Sequence, residues 1–168
     1  MSQTFARNWP MAVLVTVGGP VAVGAALGLP FGPRALLTEA AVVPAVVLGL
    51  TLLMLPALYI GTSLLGVAPP VGAAVTTVGC ALRASGTVLL GLAPPTAFLL
   101  ATTTDPRVVR LLALVVVAAS VLCGLRILYL SMFHSRGTHL RALPVFVAWA
   151  FVCGAIGARL LTSTLPGT

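Results

Sequence analysis

Long apolar runs separated by short polar clusters set the pattern of this chain. Four runs reach the roughly 20 predominantly apolar residues that an α-helix needs to cross a hydrocarbon core of about 30 Å: residues 9–29, 40–63, 108–130 and 142–163. Phe31-Gly32-Pro33-Arg34 closes the first run, Asp105-Pro106-Arg107 opens the one at 108, and His134-Ser135-Arg136-Gly137-Thr138-His139 precedes the last. Between 64 and 104 the pattern is interrupted by Pro69-Pro70, Arg83 and Pro94-Pro95. One reading spans 71–92 with Arg83 at mid-membrane; the other makes 64–83 an interfacial segment and spans 84–104 with a proline kink. An arginine at a helix centre costs about 2.5–3.5 kcal/mol on insertion scales, which favours the second. Either way one span falls within 71–104. The pattern predicts an all-α, polytopic transmembrane helical bundle of five spans, forming a single integral membrane domain over 1–168. Arg7 ahead of the apolar stretch 11–29 has the order of a secretory leader, but the stretch is read as the first span.

Composition strengthens the membrane reading. Of 168 residues, 60% are hydrophobic and 7% charged, and the mean hydropathy is +1.17; an average soluble domain carries about a quarter charged residues. So few charges cannot cover a dissolved globule of this size, so soluble enzyme folds are excluded and the apolar solvent is lipid. All nine basic residues are arginine, set against two acids, Glu39 and Asp105, for a net charge of +7. The arginines stand singly with no basic, aromatic-interleaved patch, so they read as helix-end anchors and nucleic acid is not an expected partner. With the N-terminus inside, Arg7, Arg83, Arg126, Arg136 and Arg141 fall on the cytoplasmic side against Arg34, Arg107, Arg110 and Arg159 outside, a slight lean to that orientation. Arginine without lysine, with heavy Ala, Gly, Val, Leu and Pro usage, is the composition expected of a GC-rich bacterial genome and places the chain in a bacterial inner membrane. Cys80, Cys123 and Cys153 lie far apart without CxxC spacing and read as small buried hydrophobes.

Two local features bear on packing. Gly61-Thr62-Ser63-Leu64-Leu65-Gly66-Val67-Ala68-Pro69-Pro70 returns 25 residues later as Gly86-Thr87-Val88-Leu89-Leu90-Gly91-Leu92-Ala93-Pro94-Pro95, identical at eight of ten positions. Pro69, Pro70, Pro94 and Pro95 are therefore candidate helix breaks of the kind that line transporter sites, or plain helix stops in a Gly-Ala-Pro-rich chain. Gly24 and Gly28 form a GxxxG in the first span, Ser120 and Gly124 are four apart in the fourth, and Ala150, Gly154 and Ala158 make a small-residue stripe in the fifth. Such spacing lets backbones approach, within the chain by default and against another subunit otherwise.

Chemistry is sparse. The two acids sit near the ends of different spans and read as helix-end charges, each with an arginine nearby: Arg34 for Glu39 and Arg107 for Asp105. His134 and His139, five apart, would diverge by about 140° on a helix and have no acid or cysteine in their loop, so they read as solvated, with no metal. No GxSxG, HExxH, Walker or dinucleotide glycine pattern occurs, no cofactor is expected and neither is catalysis. Arg83 and Arg126 are the most informative residues: Arg126 lies about four residues inside a span end and reads as a snorkelling anchor. If either faces the bundle interior, it becomes a candidate for an anionic group or a partner's acid.

Leu58-Tyr59-Ile60-Gly61, the connection through Pro69-Pro70, Leu82-Arg83 leading into Gly86-Thr87-Val88-Leu89-Leu90-Gly91, and then Gly124-Leu125-Arg126 follow one another in an order that resembles bacterial members of the Yip1 family over roughly residues 40–130. The resemblance implies a five-span membrane protein with a cytoplasmic N-terminus; eukaryotic members bind small GTPases and assist vesicle traffic, and no functional residue is carried over. Expected, then, is a non-catalytic accessory, scaffolding or assembly subunit of a larger membrane complex, whose partners are the bilayer and other membrane-protein subunits or copies of itself. The alternative is a small permease or channel subunit with broken helices at the two GTxLLGxAPP segments.

Overall fold

The computed structural model describes residues 9–103, 105–133 and 139–164. It contains five long helices: α1 (Trp9–Gly28), α2 (Pro33–Leu64), α3 (Val71–Thr102), α4 (Pro106–Phe133) and α5 (His139–Thr164). All five are long and apolar enough to cross a membrane, and there is no strand among the described residues. The chain is an integral membrane protein built as an all-α bundle. In hydrocarbon every backbone N–H and C=O has to be satisfied within its own segment, which leaves the helix as the economical form for apolar runs of this length.

The helix boundaries have local causes. Between α1 and α2 a short 3₁₀ turn (Leu29–Phe31) leads to Gly32, whose φ of 95° reverses the chain, and Pro33 at the first helical position starts α2. Consequently α2 begins seven residues before the expected boundary at 40 and takes Glu39 inside the helix. At its other end the N–H groups of Gly66 and Val67 donate to the carbonyls of Ser63 (2.9 Å) and Thr62 (3.0 Å), with Gly66 at φ 68°. That is a Schellman stop, sealed by Val67, which is buried against the core. Pro69 and Pro70 follow it in the connection, so they do not break a span. In α4, Asp105 caps the start: its Oδ1 accepts the Arg107 backbone N–H at 2.8 Å, with Pro106 at the first helical position.

Two expectations for the middle of the chain are corrected. There is no interfacial segment over 64–83, because α3 is one helix of 32 residues that contains both Arg83 and the second GTxLLGxAPP copy. Nor is it broken at Pro94 and Pro95. The two prolines leave the carbonyls of Leu90 and Gly91 without helical donors, yet Gly91 presents no side chain to crowd the rings and the helix continues through them. The same ten-residue word thus ends one helix and continues another, the difference lying in whether its second glycine turns to positive φ.

The most extensive contacts join α1 to α3 and α2, and α3 to α4; α5 lies along α2 and touches α4 sparingly. Glycines bring the inner helices together. A Cβ on Gly19 would collide with the Gly86 backbone, one on Gly24 with the Glu39 backbone and one on Gly28 with Leu36 and Ala35. On Gly124 it would strike Ser85, whose hydroxyl crosses from α3 to α4 to donate to the Ser120 carbonyl at 3.0 Å. Two apolar clusters fill the interior. One gathers Val23, Leu27, Val43, Leu89, Leu100 and Val109 at the end where α1 finishes. The other gathers Leu58, Val78, Leu128, Met132 and Phe146 at the opposite end.

Candidate functional site

The feature that most needs explaining is the outer face of α3. Gly72, Thr76, Gly79, Arg83, Thr87, Leu90 and Pro94 recur at helical spacing and all are exposed. Their opposite face, carrying Ala74, Val78, Ala81, Leu89, Thr96 and Leu100, is buried in the bundle. Along the outer face, a Cβ added at Gly72 or Gly79 meets nothing within 4 Å. The threonine hydroxyls are occupied within the helix, Thr76 donating to the Gly72 carbonyl at 2.8 Å and Thr87 to the Arg83 carbonyl at 2.9 Å. What remains is an exposed helix face of small and apolar residues with one cation on it.

With α3 centred in the bilayer, Arg83 stands close to the middle of the membrane. It lies within about 5 Å of the centre of α3 at 1.5 Å per residue, one turn from Gly86, which meets Gly19 near the middle of α1. That leaves roughly 10 Å of hydrocarbon to the nearer interface of a core about 30 Å thick, more than a stem of three methylenes spans comfortably. Arg126 differs: seven residues from the end of α4 at Phe133, also exposed, it is near enough to its interface to snorkel.

Neither acid of the chain reaches Arg83. Asp105 acts at the far end of the bundle as the α4 cap, a helix-end charge bonded to the Arg107 backbone N–H. Glu39 is 2% exposed between α1 and the core, with Oε2 lacking a hydrogen-bond partner among the described residues, while Arg34 is exposed and makes no ion pair with it. Burial of Glu39 was not foreseeable from hydropathy, although a carboxylate six residues into an apolar helix beside a GxxxG is a signal worth weighing.

Of the remaining candidates, Gly24 and Gly28 are used inside the chain, where they seat α1 on α2, whereas Gly154 faces open space on α5. Pro94 and Pro95 are exposed on α3. His134 lies outside the described residues, as does the His139 side chain. No group of three or more metal-ligating side chains occurs among the described residues. No protein-family model, characterised protein or solved structure matches the chain.

Proposed function

We propose that this protein is a non-catalytic accessory subunit of a membrane complex, in a bacterial inner membrane, and that it docks a partner's transmembrane helix on the outer face of α3. The observation that carries this reading is Arg83: exposed, near the middle of α3 and without a carboxylate partner among the described residues. A cation held in hydrocarbon is costly and pairs with an acid or a polar group of a neighbour when it is kept. Gly72 and Gly79 beside it let a second backbone approach closely enough to complete the pair.

The partner is a different chain. In a homodimer around an axis normal to the membrane, equal depths meet; Glu39 is sealed inside each copy, and Asp105 lies about 30 Å further along α3's axis than Arg83. The acid has to come from a helix that carries Asp or Glu near its own centre.

The test is extraction in mild detergent from the native host, with co-purifying chains identified. A stoichiometric membrane partner is expected, lost on Arg83→Gln and retained on Arg126→Gln. Recovery of the wild-type chain alone, as a monomer, would overturn the reading.

A further inference from the structure

Beside the tightly packed helices the bundle has an opening that its other features do not explain. A cavity of about 580 Å³ lies between α5 and the other helices, within the range of roughly 300–1,000 Å³ typical of ligand sites. α5 is held to α2 along its length: the Trp149 indole donates to the Met54 carbonyl at 2.8 Å, Val145 packs at Gly61, and Leu50 lies against Gly157. To α4 it is joined at one end, through the Tyr129–Phe146 ring pair at 5.2 Å. Beyond that pair the two helices diverge. Ala118, Val121 and Leu122 of α4 and Phe151, Gly154 and Ala155 of α5 line the cavity and are exposed at once, so it opens sideways between these helices into the bilayer.

The lining decides what enters. It carries no charge, and its hydroxyl and indole donors are already used: Thr16 on Ala12, Thr51 on Val47, Ser85 on Ser120, Ser120 on Val117 and Trp149 on Met54, all to backbone carbonyls, which leaves the weak Cys153 thiol as the other side-chain donor in the lining. A polar guest would find little to bond, while a hydrocarbon chain loses nothing by entering. The small residues of α5 face this gap instead of another helix, and a Cβ on Gly154 meets nothing within 4 Å. Small side chains normally draw helices together; here they widen a slot.

A charge stands beyond the lining. Arg110, which does not itself line the cavity, lies on the same stripe of α4 as the lining residues Leu114, Val117 and Val121, one turn from Leu114, the first of them, and toward the helix end. Arg110 is half-exposed, and the nearby Asp105 is engaged as the α4 cap. We propose that the slot between α4 and α5 binds one acyl chain of an anionic phospholipid, with the lipid phosphate at Arg110. The site is independent of the outer face of α3, which lies on the other side of that helix from α4.

Trp149 lines the cavity and is one of two tryptophans, so Trp9→Phe makes it the sole reporter. The full chain carrying that substitution would be reconstituted in phosphatidylcholine vesicles with increasing fractions of either phosphatidylglycerol or phosphatidylcholine brominated at mid-chain. Brominated phosphatidylglycerol is expected to quench Trp149 at about fivefold lower mole fraction, the effect of about one arginine near an anionic headgroup. Arg110→Gln should merge the two curves. Gly154→Leu and, separately, Ala118→Leu should reduce quenching by both lipids, with helical content unchanged by circular dichroism. Equal curves for the two lipids before any Arg110 change would remove the phosphate site. Quenching unaffected by both filling substitutions, or absent throughout, would show that no lipid chain occupies the slot.

Discussion

At Gly86 the backbones of α1 and α3 come so close that a methyl group has no room: a Cβ there would overlap the Val15 carbonyl oxygen. At Gly154 the same methyl would meet nothing. The two glycines are indistinguishable by residue type, and they separate packing from open surface. Gly86→Ala is expected to destabilise the bundle by about 1–3 kcal/mol, the usual cost of overfilling a packed site, while Gly154→Ala stays within about 0.5 kcal/mol; denaturant titration in micelles compares them. Asp105 gives a second residue-level test. Because its carboxylate acts as a helix cap, Asp105→Ala should cost about 1 kcal/mol and Asp105→Asn only a few tenths, since an amide oxygen accepts the same Arg107 N–H. An ion pair would instead make the two substitutions equally harmful.

Among the elements, α3 departs furthest from expectation. Arg83 and the Pro94-Pro95 pair lower the local hydropathy and read as boundaries in a window scan, yet the helix runs from Val71 to Thr102 without a break. The cause lies outside a single sequence: a chain already in lipid has no water to receive unpaired backbone groups, so it stays helical through isolated defects, with Gly91 leaving room for the proline rings. Changing Pro94 and Pro95 together to alanine should leave helical content unchanged and the thermal midpoint equal or higher, by circular dichroism in micelles. A fall in either would mean that the prolines shape α3 in a way the continuous helix does not require. The ends of α1, α4 and α5 were legible to within a few residues, because apolar run length and the Asp105-Pro106 signal settle them. The start of α2 was not, since Gly32 and Pro33 begin the helix before the apolar run does.

For the whole molecule, the number of spans and the all-α class follow from the length and spacing of apolar runs, which lipid thickness constrains directly. The site was only half legible. Arg83 stood out as a charge in an apolar segment, but whether it faced core or lipid depended on which side of α3 the other helices chose. Likewise nothing in the residue order marks Glu39 as 2% exposed or the slot beside α5 as open; both arise from distances between helices far apart in sequence. Two helices of 32 residues would each extend about 48 Å, well beyond a hydrocarbon core of about 30 Å, so they tilt or project from it, and the tight α1–α2–α3 group forms the frame on which the outer face of α3 is displayed.

The measurement that bears most directly on that face is site-specific photocrosslinking in native membranes. A photoreactive residue would be placed at Gly79 or Thr87 on α3, and for comparison at Leu52 or Leu53, which are exposed on α2. The expected result is a discrete adduct with one partner chain from the α3 positions, absent from the α2 positions and lost when Arg83→Gln is added. Adducts of equal yield from both helices, or none from α3, would contradict a partner helix docked at Arg83.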